Sequence, residues 1–175
     1  MTPEQRKYAV NLAKISGCII VILYFILSSL KSNSSYTFPR SVISHDEPKI
    51  DGGEARFRLK LPGLSYSTDL FETSKDIEDI AKHEVESNQS EGSILFTIVG
   101  EGKDLYGNSV QDVYAFDLQF SMDDLKKVKW DDLDGMQLLN LGQIVSKSPA
   151  GENLISGYCE DNRVSSEVFC AAGTQ

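Results

Sequence analysis

The chain predicts an α+β domain behind a single N-terminal transmembrane helix: a small open sheet with helices, ending in a disulfide-bonded tail. Three observations carry this reading. Ile15 to Leu30 is a run of 16 residues without a charge. Between Arg56 and Val145, segments of strand period alternate with segments of helix period. Near the end, Cys159 and Cys170 bracket the polar, turn-forming stretch CEDNRVSSEVFC.

The apolar run is the anchor. At 1.5 Å per residue, its 16 residues reach about 24 Å, and Lys14 and Lys31 can snorkel to the two interfaces to close the gap to a bilayer core. A cleaved signal peptide is the rival reading, but no Ala-x-Ala site follows the run and 14 mostly polar residues precede it. Ile15-Ser16-Gly17-Cys18 has the look of a lipoprotein box, yet the apolar segment follows the cysteine instead of preceding it. Thr2-Pro3-Glu4-Gln5 reads as a capping box that starts the helix well before the membrane. Arg6, Lys7 and Lys14 against Glu4 keep the N-terminus cytoplasmic. The expected layout is a stub at 1–14, an anchor at 15–31, a linker at 32–53 and an extracytoplasmic domain at 54–175. A single-pass protein of the inner membrane results, its C-terminal domain periplasmic or extracellular.

The linker is rich in Ser, Pro, Gly and Asp and holds no sustained period. Beyond it, Arg56 to Leu61 alternates as a strand with Phe57, Leu59 and Leu61 inward. Thr73 or Ser74 is expected to cap a helix to about Ser87, with Ile77, Ile80, Ala81 and Val85 on one face. Ser93 to Val99 reads as a central strand that buries Leu95 and Phe96. Asp112 to Phe120 follows as its hairpin partner, with Tyr114, Phe116, Leu118 and Phe120 on one face. Ser121 opens a short helix with Leu125, Val128 and Trp130 inward. Met136 to Val145 fits a strand or a continued helix, its length and β-branched end favouring the strand. Ile155–Cys159 and Glu167–Ala171 are expected as short strands of the tail. The order strand, helix, strand, strand, helix, strand is that of the split βαβ or ferredoxin-like arrangement.

Charge and motifs narrow the chemistry. The chain has 17 Lys+Arg and 26 Asp+Glu; only Arg6, Lys7, Lys14, Lys31 and Glu4 precede Ser32, which leaves the outer part at −12. That balance repels nucleic acid and anionic lipid headgroups. Cys159 and Cys170 are expected to form a structural disulfide in an oxidising compartment. The stretch Asp131-Asp132-Leu133-Asp134-Gly135 fails the calcium-loop pattern, which would need ligands where Trp130 and Leu141 stand. Gly100-Glu101-Gly102 leads into a strand and not a helix, so it is turn chemistry and not a phosphate cradle. Nucleophilic catalysis needs a base held near a Ser or Cys; serines are plentiful, but the two histidines, His45 in the linker and His83 on the polar side of a helix, read as surface residues. No catalytic, cofactor or metal site is expected. Tyr106, in the turn Asp104-Leu105-Tyr106-Gly107-Asn108, is the candidate partner contact.

The expected function is that of a membrane-anchored interaction module, a non-enzymatic subunit of a bacterial envelope assembly of the secretion, pilus or conjugation type. Its partners would be other membrane or periplasmic proteins, or further copies of itself. Two alternatives stand beside it. An apolar N-terminal helix with a C-terminal disulfide loop resembles type IV pilins, although the early helix glutamate and the Gly-Phe processing site of that family are missing. A membrane-tethered ligand-binding domain or enzyme without a linear motif is the other.

Overall fold

The computed structural model of the protein describes residues 36–46, 53–64, 67–87 and 92–173. The expected anchor and stub fall outside these residues; among the described residues no helix is long and apolar enough to cross a membrane. What is described of the C-terminal unit is a mixed α+β fold. Its elements are β1 (Val42–Asp46), β2 (Glu54–Leu61), α1 (Ser67–Ser87), β3 (Ser93–Lys103), β4 (Ser109–Ser121), α2 (Met122–Leu125), α3 (Gly135–Leu138), β5 (Gln143–Lys147), α4 (Pro149–Asn162) and α5 (Glu167–Gly173).

The five strands lie in chain order, β1-β2-β3-β4-β5. β2 and β3 are parallel neighbours joined through α1, while the other three pairings are antiparallel. This departs from the split βαβ expectation, in which a third strand separates the two parallel ones. Here the α1 crossover returns the chain to the place beside β2, and the β3–β4 hairpin then grows outward. β1 is a further addition: it falls within 32–53, where a linker was expected, and extends the sheet past β2.

Among the described residues, helices cover one face of the sheet only. β2 turns Ala55, Phe57, Leu59 and Leu61 to that face, β3 turns Ile94, Phe96 and Ile98, and β4 turns Phe116, Leu118 and Phe120, all buried with Leu70, Ile77, Ile80, Ile155, Tyr158 and Phe169 of the helices. Leu95 is therefore half-buried on the open face and not a core residue, because β3 alternates like a strand covered on one side. β4 also differs from a uniform alternation. Ile98 pairs with Phe116 but Val99 pairs with Tyr114, so Ala115 is a bulge residue. The bulge moves Tyr114 to the open face, where its hydroxyl bonds Ser146, and leaves Ala115 buried.

The helices correct further expectations. α1 begins at Ser67 and not at Thr73 or Ser74; these two are buried inside it, their hydroxyls donating to the carbonyls of Asp69 and Phe71. Ser121 stands at the N-cap of α2 without a side-chain cap bond. Residues 136–145 divide: α3 and a 3-10 turn at Leu139–Leu141 come first, and β5 follows. The tail holds no strands. Ser148 caps α4 by accepting from the Gly151 amide, Pro149 stands in its first turn, and Leu154, Ile155, Tyr158 and Cys159 are buried at helical spacing. Cys159 and Cys170 form the expected disulfide, joining α4 to α5.

Candidate interaction surface

β3 and β4 outrun the sheet. Pairing with β2 ends at Gly100, and pairing with β5 begins at Phe116, so residues 101–113 form a two-stranded ribbon that neither neighbour accompanies. Its base is braced from the open face, where Lys60 Nζ donates to Gln111 Oε1 at 2.8 Å and pairs with Asp112 Oδ1 at 2.9 Å. Two residues, Gln111 and Asp112, fill the gap between the pairs Gly100–Val113 and Gly102–Val110, and Asp112 there adopts φ 56°. Aspartate tolerates this left-handed conformation better than most side chains. Glu101 accepts hydrogen bonds from Ser109 and Gln111 across the ribbon, which hold its carboxyl below the usual range.

The tip is built on Asp104. Oδ1 accepts from the amides of Tyr106 at 2.8 Å and Asn108 at 2.9 Å, and Oδ2 accepts from Asn108 Nδ2 at 3.0 Å. The backbone closes the same turn, Gly107 N–H donating to Asp104 O and Asp104 N–H to Asn108 O. Gly107 takes φ 82°, a conformation glycine adopts without a Cβ penalty. Asn108 first, then the tip amides, stabilise the Asp104 carboxylate and lower its pKa. Asp104 thus ties the turn together through both its carboxylate and its backbone.

What this turn displays is apolar. Leu105 is 100% exposed and Tyr106 89% exposed. Single exposed apolar residues are ordinary; here two stand side by side at the end of a hydrogen-bonded projection. Tyr106 thus stands at a strand-to-strand tip, as its sequence context suggests. Leu105 escaped notice, although an apolar residue inside an Asp-x-x-Gly-Asn turn was a readable signal. The disulfide cysteines belong to the helical layer, away from the ribbon in sequence, and both are buried.

Other residues weighed from the sequence take structural places. Asp134 caps α3 in a capping box with Gln137, the role of a helix-terminal carboxylate. Trp130 is partly buried against the core. His45 and His83 meet around Phe38, whose ring lies 4.5 Å from the first and 6.3 Å from the second, while His45 stacks on Phe57. Sequence reasoning missed this cluster because its members come from three separate segments. Among the described residues, no group of three or more His, Cys, Asp or Glu is placed to hold a metal ion. No family model, curated protein or solved structure matches the chain.

Proposed function

We propose that the protein is a membrane-anchored extracytoplasmic interaction module, a non-enzymatic subunit of a bacterial envelope assembly of the secretion, pilus or conjugation type. The observation that carries this reading is the tip itself: Leu105 and Tyr106, almost wholly exposed on a turn held by the Asp104 carboxylate. A partner pocket that takes both side chains recovers the hydrophobic free energy of two large groups, and the ordered turn leaves little conformational entropy to lose. The apolar run and the positive residues before it support placement of the domain outside the cytoplasm.

Two measurements test it. Leu105→Ala/Tyr106→Ala in the full chain should leave the melting temperature within a degree or two yet abolish recovery of the partner complex after mild detergent extraction. A reporter enzyme active only outside the cytoplasm should work when fused after Gln175. Normal assembly by the double variant, or turnover of a small substrate by the purified protein, would overturn the proposal.

A further inference from the structure

A concavity lies between α1 and the start of α3. Phe71, Lys75 and Glu78 face Asp134, Gly135 and Met136 across a cleft of about 260 Å3. Pockets for drug-sized molecules and cofactors run from about 300 to 1,000 Å3, so this one suits a single side chain or a small ion with a short stem. Its walls are of two kinds. The Phe71 ring and the Met136 thioether are apolar, and both are half-buried against the core. Glu78 and Asp134 supply carboxylates, with the Gly135 amide donating to Glu78.

One wall of the cleft already carries an ammonium group of the chain's own. Lys75 Nζ stands 4.3 Å from the centroid of the Phe71 ring and 3.4 Å from Glu72 Oε1, with its side chain 54% exposed. The aromatic face at the rim thus holds an ammonium group that solvent can reach and a competitor can displace. Burial first, and then the Asp134 charge, push the Glu78 carboxyl above its usual range; Lys82 and the Gly135 amide pull it the other way. A cation entering the cleft would offset the repulsion from Asp134.

We propose that this cleft binds an organic cation, an ammonium or guanidinium head on a short aliphatic stem. The stem lies on Phe71 and Met136 and the head sits between Glu78 and Asp134. This is the chemistry of a lysine or arginine side chain on a basic partner and equally of a free alkylamine. The site is separate from the ribbon tip in every residue that lines it, so either can fail without the other.

The test is a titration of the full-length protein with n-butylammonium, n-butylguanidinium and the neutral isostere n-butanol. It is followed by NMR at the Gly135 amide and the Met136 methyl. Both cations should shift these signals with dissociation constants of millimolar order, and butanol should bind at least ~10-fold more weakly. Glu78→Gln should weaken cation binding ~10-fold, whereas Lys75→Ala, by vacating the Phe71 ring, should tighten it ~2- to 5-fold. Tighter binding of a lysine peptide blocked only at its two termini, its ε-ammonium free, than of butylammonium assigns the cleft to a protein side chain; the reverse assigns it to a free amine. Equal shifts from butanol and butylammonium would overturn the proposal, as would weaker binding by Lys75→Ala, an arm that stands even if Glu78→Gln fails to fold.

Discussion

The Asp104 carboxylate accepts the amide of Tyr106 at 2.8 Å, so an acid just past the end of β3 fixes the backbone beneath a ring that is 89% exposed. The same carboxylate takes two donors from Asn108, which closes the turn from its far side. Removing the acid therefore unfastens the tip without touching the core. Asp104→Ala should leave cooperative unfolding nearly unchanged while hydrogen exchange at the Tyr106 and Asn108 amides accelerates. Its pKa is lowered, chiefly by Asn108, so folding favours the ionised form. The stabilisation is present at all pH values above the ordinary aspartate range and is lost as pH falls through the depressed value. Protection of the two amides should follow that course, full at neutral pH and failing only in strong acid. Protection that failed already near neutral pH would show that the carboxylate is not what holds the turn.

The disulfide fastens the helical layer. Cys159 and Cys170 are 11 residues apart, and closing a loop of that length stabilises by about 3 kcal/mol on the chain-entropy model. Phe169, next to Cys170, packs edge-on against Tyr158 at 5.9 Å and lies 6.3 Å from Phe116, so the bridge also holds an aromatic anchor of α5 in place. Cys159→Ser/Cys170→Ser should lower the unfolding free energy by about 2–4 kcal/mol in a denaturant titration. Neither thiol should take up an alkylating reagent before reduction. Labelling of both in untreated protein would contradict the bridge.

Phe116 and Leu95 separate the two faces of the sheet. Phe116 is fully buried under the helices, and Leu95 lies half-covered on the open side. Truncation to alanine should cost about 3–5 kcal/mol at Phe116. At Leu95 it should cost under about 1 kcal/mol. Chemical denaturation of the two variants checks this, and similar losses would mean that something covers the open face.

These two residues also mark where local patterns were readable and where they were not. Alternation in Arg56–Leu61 and the helical stripe through Ile77 and Ile80 stand in the sequence because each element buries one regular face. Leu95 misled because a short apolar run reads alike whether one or both faces are covered. Tyr114 misled because a bulge at Ala115 shifts the alternation by one, and a bulge depends on cross-strand register, which no local pattern records. β1 was obscured in the same way, since its pairing with β2 slips between Val42 and Ser44. In the tail, glycines and valines masked two helices that Ser148-Pro149 could have announced. The turn around Tyr106 was legible because its whole network lies within five residues. The cleft was not, because Phe71 to Glu78 and Asp134 to Met136 meet only in the fold.

The bulge has a structural consequence that two glycines of one helix can test. It turns the carbonyls of Tyr114 and Ala115 toward the β5–α4 connection, where Ser148 Oγ donates to the first and Ser148 N–H to the second, each at 2.7 Å. The start of α4 is thereby drawn onto β4 so closely that a Cβ on Gly151 would lie 2.2 Å from the Ala115 carbonyl oxygen. That neighbour is backbone and cannot swing away. Gly151→Ala must therefore either lift α4 off the strand or break the Ser148 bonds, and should cost about 1–3 kcal/mol. Gly157, two turns further along the same helix, has nothing within 4 Å of where its Cβ would stand. Gly157→Ala meets no clash and lowers the entropy of the unfolded chain, so it should stabilise by about 0.5–1 kcal/mol. Opposite signs for the two alanines in thermal unfolding would locate the constraint in the contact with β4. A gain of stability from both would show that α4 does not press on Ala115 at all.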